Sequence, residues 1–480
     1  MSERLEDTRP RPVVRPNTRP EVPAPPKLLL VLVIGVFALG ILGTVGVVLG
    51  FRVVLQPAQQ ERVINELPFM RAFLPPGPGA NDTLPTLQPD FTNSITANDL
   101  LNRSFAVTST PADAAETLTP TETATIAATA TTMATATVAA TATPDLPTAT
   151  AASAAVLPTA LPVTDLVAQS TGLLTGIQYS KQTWNNCGPA NITMALSYYG
   201  WTRDQDFAAQ FLKWGREDKN VNPVELVSFV NEQAQVKALT RIGGDLNLIK
   251  LFISNGIPVI IETGYMPEGY DWIGHYQTVV GYDDATGVFY INDSFLGPST
   301  VETYSFVDSF WRHFNRRFII VYKPDDEALV ARILGNLADP DQAAQHALEV
   351  AAQEGRQNPS DPYVFFNIGS AYAALGDYEL AAAGYDLARQ KENPPLPFRM
   401  LWYQFGMFEA YYHVGRYDDV IALAESNLLT TGDYVEEIHY WYGQALAAQG
   451  KTTEAMSAFR QALRLKPNYE AAQTALDALQ

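Results

Sequence analysis

The chain has 480 residues, with 32 Lys and Arg against 51 Asp and Glu, a formal net charge of −19, and one cysteine. An acidic balance of this size argues against a nucleic-acid partner. A single cysteine excludes intramolecular disulfides, so each folded domain must rest on its own core.

Residues 1–27 form a basic tail with Arg4, Arg9, Arg11, Arg15, Arg19 and Lys27. Leu28 to Phe51 are 24 nearly uninterrupted apolar positions, long enough to cross a bilayer as one helix. Arg52-Val53-Val54-Leu55 follows instead of a small-residue cleavage site, which favours an uncleaved anchor. Only Arg52, Arg62 and Arg71 lie in the corresponding stretch beyond the span. The positive-inside bias therefore predicts a cytoplasmic N-terminus and extracytoplasmic C-terminal domains in a single-pass cell-membrane protein.

Residues 52–170 read as a linker. From about Leu74 to Ser170, Thr, Ala and Pro dominate, as in Ala128-Thr129-Ala130-Thr131-Thr132. Charge and aromatic content are low, so the stretch would bury too little to offset chain entropy, and a disordered stalk is expected.

Residues 171–325 change to alternating apolar patterns and hold the lone cysteine in Gln182-Thr183-Trp184-Asn185-Asn186-Cys187-Gly188-Pro189-Ala190. An apolar, helix-like run follows, which would place Cys187 at a helix N-terminus, where free N–H groups favour thiolate. Gln182 could donate to an oxyanion formed when such a sulfur attacks a carbonyl. Taken alone, a single cysteine is more often a small buried core residue.

A base is needed as well. Gly274-His275-Tyr276-Gln277-Thr278-Val279-Val280-Gly281-Tyr282 reads as a strand, Asp283 to Gly287 as a turn, and Val288 to Phe295 as the returning strand. With a five-residue loop, Tyr282 faces Val288 and His275 faces Phe295, so Asp293 is the diagonal same-face neighbour of His275. A one-residue change would reverse that parity. His313 reads as a surface or packing residue, and His346, His413 and His439 fall in a helical-repeat region, where a solvated or satisfied histidine is the better reading.

Gln-x4-Cys-Gly-Pro-Ala, Gly-His-Tyr-x3-Val-Gly-Tyr-Asp and Ile-Asn-Asp-Ser, in that order over about Gly176 to Pro324, resemble the C39-like branch of papain-fold cysteine peptidases. Helices near Pro223 to Glu232 and Asp245 to Asn255, and a strand Pro258 to Glu262, suit that resemblance. It implies an α+β domain with Cys187 as nucleophile, His275 as general base and acid, Asp293 as orienter and Gln182 as oxyanion donor. The implied substrate is a peptide or protein.

Residues 326–480 are helical by periodicity. Phe365-x2-Ile368-Gly369-x2-Tyr372-x3-Gly376-x4-Ala381-x3-Tyr385-x2-Ala388 and Tyr442-Gly443-x2-Leu446-x3-Gly450-x4-Ala455-x3-Phe459-x2-Ala462 share one spacing, with a weaker copy around Tyr411 and Gly415. The pattern resembles tetratricopeptide repeats and implies an all-α solenoid with a concave surface for a protein partner. Asp339 to Gln357 is expected as a helix capping the stack.

The predicted protein is thus multidomain: a transmembrane helix, a Thr/Ala/Pro stalk, an α+β peptidase-like domain and a repeat array. No cofactor motif and no metal-ligand spacing is present. Two functional classes fit: a membrane-anchored cysteine peptidase whose array recruits a partner or substrate, and a catalytically silent binding scaffold.

Overall fold

A computed structural model describes residues 43, 46–48, 63, 67–73, 84–85, 95–103, 166–266, 272–391 and 395–480. The chain divides into two units, Met1–Gly79 and Ala80–Gln480. In the first, the described residues include a 3-10 turn, Pro68–Phe73. The predicted span 28–51 lies outside the described residues apart from isolated positions. Among the described residues, no helix is long and apolar enough to cross a membrane.

The second unit begins with a correction to the structureless linker. Ala97–Leu101 is a short helix, α1, opened by a reciprocal capping box between Thr96 and Asp99. Leu100 and Leu101 are buried. The average composition of the stretch concealed a local start signal followed by two leucines.

The α+β domain contains β1 (Thr171–Leu173), α2 (Cys187–Ser197), α3 (Gln205–Leu212), α4 (Pro223–Gln233), β2 (Lys237–Arg241), α5 (Leu246–Ser254), β3 (Val259–Tyr265), β4 (Ile273–Asp283), β5 (Val288–Asp293), β6 (Gly297–Thr303), α6 (Tyr304–Trp311) and β7 (Phe318–Tyr322). The sheet order is β2-β7-β3-β4-β5-β6, with β1 also on β4, and the pairings are antiparallel. β3 is buried along its whole length, and alternation divides its residues between two cores. Val259 and Ile261 join Phe252, Val279 and Trp311 on one face. Ile260 joins Ile192, Leu226 and Tyr276 on the other.

The array follows as α7 (Glu327–Leu334), α8 (Pro340–Gln357), α9 (Pro362–Ala374), α10 (Tyr378–Arg389), α11 (Gly406–His413), α12 (Tyr417–Leu428), α13 (Glu436–Ala448), α14 (Thr452–Leu465) and α15 (Glu470–Asp477). Gly376, Gly415 and Gly450, each with φ +76, turn the chain between paired helices. Helix α7 precedes α8 but packs Val330, Ile333 and Leu334 into the core of the α+β domain, whereas α8 packs against α9 at the start of the stack. Helix α1 packs against α8 and α10. Arg356 Nη1 donates to Leu101 O at 2.5 Å, and Arg389 Nε donates to Pro85 O at 3.2 Å.

Candidate active site

Cys187 is the first residue of α2, half-buried at a helix end whose first N–H groups have no partner within the helix. The chain before it passes the end of β5, where Gln182 N donates to Ser294 O at 2.8 Å. Asn185 takes a left-handed conformation, φ +52, to turn into the helix.

The β4–β5 hairpin differs from expectation near its tip. Asp283 pairs with Val288, so the loop has four residues instead of five, but a bulge between Val279 and Gly281 restores the register. Gln277 consequently faces Asp293, and the expected diagonal relation to His275 holds.

His275 Nε2 lies 3.0 Å from Asp293 Oδ1, with both side chains almost wholly buried. That contact leaves Nδ1 for the Cys187 thiol, with which the imidazole is hydrogen-bonded. Gln277 Nε2 donates to Asp293 Oδ2 at 2.8 Å, and the N–H groups of Phe295 and Leu296 donate to Oδ1. Tyr265 stacks on the imidazole, ring centres 5.6 Å apart.

Burial opposes charge at each member, and specific contacts outweigh it. The Asp293 charge and hydrogen bond, with Cys187, push His275 up to about 10. Burial raises the Cys187 thiol, but the His275 hydrogen bond and charge bring it below its ordinary value, with a smaller contribution from Lys213. Asp293, desolvated but facing His275, is held well below the usual carboxylate range. The arrangement favours thiolate and imidazolium together.

Gln182 Oε1 accepts from Ser294 Oγ at 2.8 Å, which fixes the amide and leaves Nε2 as the donating end. The sequence reading missed the side chains behind this arrangement. Buried Asn191 reaches Cys187 O, Tyr276 O and Ser294 Oγ with its Nδ2, at 3.0, 2.7 and 3.0 Å. It thereby joins the Cys187 helix, the His275 strand and, through Ser294, Gln182. Gln205 Oε1 accepts from Thr183 N and Asn186 Nδ2, bracing the loop before Cys187. A buried asparagine in an apolar helix was the available signal for Asn191; Gln205 gave none.

A cavity of about 510 Å³ lies beside this loop, lined by residues including Trp184, Asn186, Lys213 and Arg216. His313 is a packing residue, as expected, but a buried one. It stacks on Tyr363 with ring centres 3.7 Å apart, and burial pushes it down to about 3. Among the described residues, no group of three or more His, Cys, Asp or Glu could hold a metal ion.

Residues 174–322 match the family described as Peptidase_C39 like family, and residues 331–397 and 436–469 match models described as tetratricopeptide repeat. No curated protein matches the chain. A crystal structure of a Bacillus anthracis protein assigned as a C39-like peptidase aligns with 32% of this chain and 98% of its own, at 17% identity and a TM-score of 0.28. The chain carries a C39-like peptidase domain followed by tetratricopeptide repeats.

Proposed function

We propose that this protein is a membrane-anchored, extracytoplasmic cysteine peptidase acting on peptide or related amide bonds, with a repeat array that recruits a protein partner or substrate. The observation carrying the chemistry is the buried Asp293–His275 contact beside Cys187 at a helix N-terminus. The location rests on the apolar run 28–51 and its basic flank.

In this reading the Cys187 thiolate attacks the carbonyl carbon, forming a C–S bond and moving the carbonyl π electrons onto oxygen. Gln182 Nε2 and the Cys187 N–H hold the oxyanion. Collapse breaks the C–N bond, and His275 gives its proton to the departing amine. Water then attacks the thioester with His275 taking its proton, and collapse breaks the C–S bond, releasing the acid and restoring thiolate and imidazolium. Asp293 holds the imidazole orientation throughout and is not itself protonated.

The test is alkylation of the full chain between about pH 4 and pH 10, compared with His275→Ala. Because Cys187 is the one cysteine, mass spectrometry reads a single site. The expected wild-type rate is on its plateau by about pH 6 and loses that acidic plateau in the variant. A rate rising only near about pH 8.5 in both proteins would assign the silent scaffold instead.

A further inference from the structure

The segment between α3 and α4 has no counterpart in the proposed chemistry, yet it lies between the nucleophile loop and the repeat array. On one side, Lys213 Nζ donates to Asn185 O at 2.7 Å and approaches Trp184 O at 3.4 Å. Trp184 Nε1 donates to Glu217 Oε2 at 3.3 Å. These contacts hold the backbone of the two residues before Asn186 and Cys187, including the left-handed Asn185. On the other side, Trp214 stacks on Tyr434, ring centres 6.2 Å apart and planes within 2°. Asn222 Nδ2 donates to Glu437 Oε1 at 2.7 Å. Lys219 Nζ joins the two sides, 5.6 Å from the Trp184 ring centre and 5.9 Å from that of Trp402.

We propose that Lys213 is a positioning residue for the Cys187 nucleophile and that the repeat array holds it in place through residues 213–222. This rests on the peptidase reading above. An ammonium fixed to two loop carbonyls does two things: it sets the path of the chain into α2, and it adds a cation near the sulfur. The charged groups facing Cys187 are His275 and Lys213. Those facing Lys213 are Asp218, Cys187 and Lys219. Asp218 is buried and fixed by the N–H groups of Trp214 and Asn220, and Glu436 of the array lies near enough to act on it. The charge balance around Lys213 therefore includes the array.

The experiment measures the alkylation rate of Cys187 against pH in the full chain for wild type, Lys213→Met, Lys213→Arg and Trp214→Ala. Lys213→Met should move the midpoint for thiolate formation up by about one pH unit, a roughly tenfold slower reaction below the midpoint. Lys213→Arg keeps the charge and should recover most of that loss. A purely packing role would lower stability without moving the midpoint, so thermal melting is recorded for each protein. Trp214→Ala, which removes the stack on Tyr434, should shift the midpoint in the same direction by a smaller amount.

If the Lys213→Met profile superimposes on wild type, the positioning role is overturned while the peptidase reading stands. If Lys213→Met does not fold, Lys213→Gln replaces it: a wild-type melt with a raised midpoint supports the role, and a wild-type midpoint overturns it. An unmoved midpoint for Trp214→Ala overturns the array's part. A wild-type cysteine that is itself unactivated overturns both readings, and that failure is visible without any variant.

Discussion

At His275 two opposing effects meet on one ring. Burial disfavours the imidazolium, but Asp293 lies 3.0 Å away and is itself fixed by Gln277 and two backbone N–H groups. The charge of Asp293 prevails and pushes His275 up to about 10. Because the folded value is raised, the imidazolium persists through neutral pH and is lost only as pH rises through that value. Peptide hydrolysis should therefore show an alkaline limb near 10. Asp293→Asn removes the counter-charge, and its alkaline limb should fall by more than about one pH unit with a drop in kcat; a pH–rate profile reads both.

The residue types of this site were legible because acyl transfer needs a nucleophile, a base and an orienter, and only one cysteine was available. Asn191, Gln205 and Lys213 were not, since each acts through partners brought close only by the fold. Whether Cys187, His275, Asp293 and Gln182 perform the assigned roles is decided by the alkylation and pH–rate measurements.

At the scale of elements, the β4–β5 hairpin shows how a correct pairing can hide a wrong turn. The expected loop was one residue too long, and the bulge near Val280 supplied the missing residue within the strand. Turn length and bulge enter the register with equal weight, so the sequence pattern constrained their sum and not either one. The repeats were easier to read, because small residues recur where helices meet. Gly384 in α10 is such a position: an added Cβ would lie 2.8 Å from Gly369 N and 2.9 Å from its Cα. Both obstructing atoms are backbone, so α9 and α10 must separate. Gly384→Ala should destabilise the array by about 1–3 kcal/mol, read by chemical denaturation. Helix α1 escaped notice because five residues barely alter the composition of the long Thr/Ala/Pro stretch around them.

At the scale of the whole second unit, the peptidase domain and array share a charged junction. Lys466 pairs with Glu225 and with Glu436, the latter at 3.0 Å, while Glu437 accepts from Asn222. Burial, followed by the charge of Glu436, raises Glu437 well above the ordinary carboxylate range. A proton held there when folded and released on unfolding stabilises the protein at mildly acidic pH. That contribution is lost as pH rises through the raised value. Glu437→Gln keeps an acceptor for Asn222 and removes the titration. It should raise stability by about 1 kcal/mol near neutral pH and flatten the decline with rising pH that begins above the ordinary carboxylate range, measured as melting temperature against pH.

The docking of Leu84, Pro85 and α1 on the array changes the arithmetic of suspension. Counted from residue 51 to the peptidase domain at 166, the connecting chain is 115 residues and its contour limit is about 400 Å. Counted from 51 to the first docked residue, Leu84, it is 33 residues and about 110 Å. Both 84–85 and 166 belong to the same unit, so the chain length that limits its distance from residue 51 is the 33-residue stretch. Under the proposed anchoring, adding or removing residues between 104 and 165 would leave the maximum distance of the folded unit from the apolar run 28–51 unchanged.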